Sequence, residues 1–276
     1  SSITRITDTP GEGLITVMVI INLIRLITGR IKLKGLIFIG LLGLQIVALI
    51  MTFNRTHWLM VIVSVLLTLL LTEWKDRDKF IYWGVVLLLF VIVIIGIAVI
   101  SPSSKFGYFV LTSLKRGLSL FQFDSYEQTT DSTLRWRDFE YLYGFRQIAK
   151  YPVIGMGLGA IYRPNILAID HANFFGQVYT HNAHLWLAMK TGLLGYGLFL
   201  LFILSFIIRG FINWKKIADP TNNMLLLAIT CSMLTIVIGA NIHPFFMTLF
   251  WTPLIGVLLG LGELLIKFGV KESQAG

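Results

Sequence analysis

Residues 180–195 read THNAHLWLAMKTGLLG and set two histidines, His181 and His184, at the start of an apolar run. An imidazole in that position can anchor a helix end at lipid headgroups, ligate a metal, or carry a proton near neutral pH. A metal needs at least a third protein ligand. Asp170 and His171 are the nearby candidates, and the single cysteine, Cys231, is remote, so no metal is expected. His184, two residues from Trp186, suits an interfacial anchor, whereas His181 at the head of the run suits a proton acceptor.

Two arginines stand in awkward places. Arg55 interrupts "MTFNRTHWL" between apolar runs. It either snorkels to headgroups or meets a partner, because a charge carried to the centre of a bilayer helix costs roughly 3 kcal/mol. Arg137 lies in 133–150, a stretch of helical periodicity with Leu134, Tyr141, Phe145 and Ile148 on one face. At about 100° per residue Arg137 falls between Gly144 and Ile148, at the edge of that stripe, while Arg135, Arg146 and Lys150 point the other way. It therefore either pairs with Asp138 or Glu140 or offers a planar donor to an anionic ligand.

These residues need a scaffold, and the composition predicts its class. Of 276 residues, 56% are hydrophobic and 13% charged, more apolar surface than a water-soluble domain of this size can hide. Uncharged runs at 35–54, 56–72 and 191–208, and the longer 80–104, approach the ~20 residues of a bilayer-crossing helix. Residues 221–262 carry no charge and are long enough for two crossings, with Asn241-Ile242-His243-Pro244 supplying the turn, and 13–29 gives a weaker first span containing Arg25. The expectation is an all-α polytopic membrane protein of about seven helices. Four spans lie in 1–101, a large extracytoplasmic loop with short helices fills 102–180, and three spans lie in 181–276, all in one membrane domain. The sequence has neither an initiator methionine nor a signal-peptide pattern, which predicts a processed protein or the C-terminal part of a longer one.

The excess of 23 Lys and Arg over 14 Asp and Glu points to basic loops facing anionic lipid, and no nucleic-acid module is present. Basic groups around Arg30, Lys75, Arg209 and Lys267 follow alternate spans, which the positive-inside rule assigns to the cytoplasm. Arg55, the 102–180 loop and the 241–246 turn then face outward. That loop is too long to be idle; 106–120 reads as an interfacial helix, 124–132 as loop, and Pro152 with the glycine run 155–159 ends the helix of Arg137. The glycine run is followed by Tyr162-Arg163-Pro164 and not by nucleotide-binding features. Two guanidinium groups suit a departing diphosphate, and an imidazole suits an attacking hydroxyl. Outside the membrane no nucleotide pool exists, so a lipid-linked diphosphate is the expected donor.

The stretch His181 to Gly195 resembles the signature of the O-antigen ligase and polymerase family: His, then Asn, Ser or Gln, nine residues, Gly, two residues and Gly. His181, Asn182, Gly192 and Gly195 occupy those places. "TFNR" resembles the family's inter-span arginine, Arg55, and "RDFEYLYGFRQIAKYPVIGMGLG" resembles its second arginine, Arg137, before a turn built on Pro152, Gly155 and Gly157. The resemblance covers the chain from about residue 35, and since family members have about ten to twelve spans it implies a C-terminal portion or a short member.

The resemblance implies an inverting, metal-independent and cofactor-free glycosyltransferase in the bacterial cytoplasmic membrane, with its site facing the periplasm. It would move a glycan from undecaprenyl diphosphate to an acceptor hydroxyl on a lipid A core, a growing polysaccharide or another acceptor. By carry-over, Arg55 and Arg137 would hold the diphosphate and His181 would orient or deprotonate the acceptor. Asn182 would fix the imidazole, Gly192 and Gly195 would allow close helix packing, and Tyr162 and Arg163 would contact sugar or phosphate. Ligation, repeat-unit polymerisation and transfer to protein remain open within the family. The rivals from other classes are a flippase or transporter, which calls for broken helices in repeats and charges near the midplane, and a membrane scaffold without chemistry.

Overall fold

A computed structural model describes residues 11–27, 35–72, 77–118, 132–164 and 177–275. Its helices are α1 (Gly11–Ile27), α2 (Gly35–Met51), α3 (Arg55–Leu71), α4 (Arg77–Ile100), α5 (Lys105–Leu118), α6 (Ser132–Lys150), α7 (Ala183–Asn213), α8 (Pro220–Gly239) and α9 (Trp251–Ala275). No strand occurs among the described residues. The chain is all-helical, as the apolar runs predict.

Local chemistry sets the helix starts. The side chain of Asn54 accepts a bond from Thr56 N and opens α3; Asp219 accepts from Asn222 N, and Pro220 begins α8. In both cases a short polar side chain satisfies an amide that the first helical turn leaves open.

Among the described residues three helices are long and apolar enough to cross a membrane: 183–216, which includes a 3-10 turn after α7, Pro220–Gly239, and Trp251–Gly269. The helices α1, α2 and α3 have 17 residues each, about 25 Å at 1.5 Å per residue, a little less than the ~30 Å of hydrocarbon. The loop of 124–131, Asp170 and His171, and the basic residues Arg30 and Lys75 lie outside the described residues.

α8 forms the centre. Its span is 72% buried, against 22% and 17% for those of α7 and α9, and it packs on α1, α3, α7 and α9. A helix apolar all round belongs in that position. Small polar groups join it to α3, with Ser64 Oγ 3.2 Å from Thr235 Oγ1 and Thr68 Oγ1 3.8 Å from Cys231 Sγ. Outward-facing Leu198, Leu201 and Phe202 of α7 are exposed, a surface that suits lipid.

The packed side of α6 differs from the expected stripe. Phe145 is 60% exposed, whereas Glu140 is 3% exposed and Gly144 is buried. In a membrane protein an apolar ring need not turn toward protein, since lipid takes it at little cost. What must be enclosed and paired is the carboxylate, and Gly144 provides the room: a Cβ there would come 2.8 Å from Leu185 Cδ2.

Candidate functional site

The site is built on two segments running in parallel. Glu140 meets His181 and Tyr141 meets Asn182, pairs that are each 41 residues apart. The same register continues down the two segments: Gly144 lies against Leu185, Leu193 N donates to Pro152 O at 2.7 Å, and Leu194 N donates to Val153 O at 3.2 Å. The order of the motifs along the chain thus follows from docking α6 and its following turn, residue by residue, onto the start of α7.

The turn locks into a break in α7. Gly192 has φ 70° and ψ 177°, inside an otherwise helical run. That region is open essentially to glycine alone. The interruption frees backbone groups, and the turn takes them up: Met156 N donates to Met189 O and Gly157 N to Lys190 O, both at 3.0 Å. Lys190 is 1% exposed and its Nζ donates to Ala160 O, so the ammonium fastens the same segment.

The chain also bends at this point. The rings of His184 and Tyr196 lie 5.9 Å apart, although positions twelve residues apart in a straight helix are separated by about 18 Å along its axis. Beyond the break, 193–213 is long enough to cross the ~30 Å of hydrocarbon alone.

At the head of α7, His181 and Glu140 form a two-point contact. His181 Nδ1 lies 2.9 Å from Glu140 Oε1, and His181 N donates to Glu140 Oε2 at 2.9 Å. The Glu140 side chain is nearly enclosed, while the His181 side chain is 36% exposed. Asn182 caps α7 by accepting from Leu185 N and donates from Nδ2 to Tyr141 Oη at 3.1 Å. Arg137, Glu140, Tyr141, His181, Asn182 and Asn241 border one narrow crevice, too tight as it stands to hold a water molecule.

Arg137 makes no ion pair with Asp138 or Glu140 among the described residues, and its Nε is buried without a hydrogen-bond partner there. The carboxylate that the sequence offered it belongs to His181 instead. A buried, unsatisfied guanidinium N–H is costly.

Not every candidate enters the cleft. Arg55 opens α3 at the same end of the bundle: the neighbouring Thr56 lies against Gly239, and Ala183 N bonds Ala240 O at 2.8 Å. Its side chain is exposed and does not border the cleft. Tyr162 and Arg163 are 1% and 2% exposed and do not border the cleft. The backbone of Tyr162 holds the segment returning from the turn, with Tyr162 N bonded to Gln177 O and Gln147 Nε2 to Tyr162 O.

His184 is an internal fastener and not an anchor at the headgroups. Its Nε2 lies 2.8 Å from Val237 O near the end of α8 and its Nδ1 3.2 Å from Tyr196 Oη. Val237 is in the last turn of α8, where carbonyls lack helical donors, and the ring supplies one. Gly192 and Gly195 also differ from the expected helix–helix packing. Gly192 abuts the backbone of Val153 and Gly155, and a Cβ on Gly195 would meet Thr191 of its own helix.

A larger cavity of about 630 Å³ opens between the end of α6 and the turn, bordered by Gln147, Lys150, Tyr151 and Ile154. Among the described residues its lining has no imidazole or carboxylate. Among the described residues no cluster of three or more His, Cys, Asp or Glu could hold a metal.

Sequence reasoning missed Glu140 as the partner of His181, and also Tyr141 and Lys190. A signal for the first existed: Glu140 is one turn after Arg137 and shares its side of the helix. Nothing local links it to a histidine 41 residues away.

Comparison with curated proteins and with solved structures gave no significant match. Comparison with known families gave a match to the one described as O-antigen ligase, over residues 38–200. That interval contains Arg55, Arg137, the Pro152–Gly157 turn, His181 and the break at Gly192. With this match over most of its length, the all-helical chain is a membrane protein that belongs to the O-antigen ligase family.

Proposed function

We propose that this protein transfers a glycan from undecaprenyl diphosphate to an acceptor hydroxyl at the outer face of the bacterial cytoplasmic membrane, with inversion and without a metal. The observation that carries the reading is that Arg137, whose buried Nε has no hydrogen-bond partner among the described residues, and the partly exposed imidazole of His181 line one crevice.

The acceptor oxygen attacks the anomeric carbon from the face opposite the diphosphate. Its proton passes to His181, the anomeric C–O bond breaks, and the bonding pair leaves on the diphosphate. Arg137 meets the charge that develops there, an interaction that strengthens in the transition state. Arg55, at the same end of the bundle, supplies the second cation when the donor is bound. The periplasmic orientation rests on the alternation of basic groups.

A repeat-unit polymerase of the same family would use the same groups on a different acceptor. A flippase would bind the same diphosphate without breaking a bond. Membranes containing the protein, supplied with an undecaprenyl-diphosphate-linked oligosaccharide and either lipid A core or the same oligosaccharide as acceptor, distinguish the three. Product on lipid A core marks a ligase, an extended glycan a polymerase. Translocation with the donor intact would overturn the transferase reading.

A further inference from the structure

The cleft contains an acid group that the proposed reaction has not yet used. Glu140 is 3% exposed, in a place where a lone carboxylate is costly. Its two oxygens are both committed to His181, one to the ring and one to the backbone N–H. A carboxylate only accepts, so the hydrogen between it and the ring belongs to His181 Nδ1. That leaves Nε2 with its lone pair. Among the described residues Nε2 has no hydrogen-bond partner, and it is not one of the buried unsatisfied atoms.

We infer that Glu140 is a positioning residue that makes His181 a directed base: it fixes the Nδ1–H tautomer, aims Nε2 at the acceptor hydroxyl, and places a negative charge beside the ring as the ring becomes cationic. The inference rests on the transferase reading above and adds a second member to its base. The proton moves from the acceptor oxygen to Nε2 and stays there; Glu140 remains ionised throughout, as the acidic member does in other carboxylate–histidine pairs.

The geometry separates this role from a merely structural one. The bond from His181 N to Glu140 Oε2 sits just before the N-cap of α7, where a carboxylate also stabilises the helix end. A Gln at 140 keeps an oxygen for that amide. The remaining NH2 of such a Gln can only donate toward Nδ1, which drives the ring hydrogen to Nε2 and removes the base. The neighbours in the cleft bear on the same ring: Arg137 is the cation, Tyr141 and Asn182 are neutral, and the Tyr179 ring lies edge-on 5.4 Å from it.

The test uses the full chain in membranes with an undecaprenyl-diphosphate-linked oligosaccharide as donor and lipid A core or the same oligosaccharide as acceptor. Glu140→Gln is expected to lower kcat by roughly 10²–10⁴-fold, with KM for the donor nearly unchanged and the thermal midpoint preserved. Full turnover in Glu140→Gln, or a loss matched by a fall in thermal midpoint, overturns the positioning role while leaving the transferase reading intact. No transfer by the wild-type protein to either acceptor overturns both. A second measurement needs no variant at Glu140: ¹⁵N spectra of histidine-labelled wild-type protein, assigned by subtracting His181→Ala, should show Nδ1 protonated and Nε2 bare. Any other state of that ring overturns the inference.

Discussion

Gly155 and Gly192 face each other across the docked turn. A Cβ on Gly155 would come 2.4 Å from Gly192 N, and one on Gly192 would come 2.5 Å from Gly155 N. Both have positive φ, 72° and 70°. The two motif glycines, far apart in sequence, therefore form one closure between backbones, and this closure holds α6 in register with the head of α7.

Gly192→Ala should destabilise the protein by roughly 2–5 kcal/mol, combining a backbone conformation that alanine rarely adopts with a collision against Val153 O. Thermal unfolding in detergent measures it. An unchanged midpoint would mean that the break in α7 does not exist in solution.

The two histidines of the motif should respond differently. His181→Ala is expected to lower transfer by about 10²–10⁴-fold with stability preserved. His184→Ala removes the bonds to Val237 O and Tyr196 Oη. It should cost about 1–3 kcal/mol of stability and leave turnover within roughly tenfold. Parallel unfolding and transfer assays on the two variants check the division, and equal loss of turnover would reject it.

Asn182→Ala removes the cap of α7 and the bond to Tyr141 Oη. The expected loss is about 1 kcal/mol from the cap, together with a weaker transfer rate, since the loop carrying His181 loses a tie. Tyr141→Phe keeps the cap of α7 and removes the bond to Asn182 Nδ2. It should keep most of the stability and lose part of the rate, and an unchanged rate would make the tie to Tyr141 irrelevant.

Arg137→Lys should lower turnover roughly 10²-fold, because an ammonium does not reproduce the planar fork of a guanidinium. Transfer by the wild-type protein should continue unchanged in a chelator. Loss of activity on chelation, restored by a divalent cation, would require a metal in the mechanism.

The sequence by itself determined the class of molecule and much of its punctuation. Long uncharged runs left no alternative to membrane helices, and Pro152 after Lys150 ended α6 where the chain turns. It also determined which residue types could react, because a guanidinium and an imidazole remain what they are in any fold. The tertiary structure alone decided their partners. Glu140 stands beside Arg137 in sequence yet pairs with His181, and this depends on a register set by the closure of Gly155 on Gly192. Likewise the side of α6 that is enclosed follows the carboxylate and Gly144 and not the aromatic rings. Periodicity reports which side chains avoid water. In a bilayer, lipid and protein both satisfy that preference, and only packing and the pairing of buried charge tell them apart.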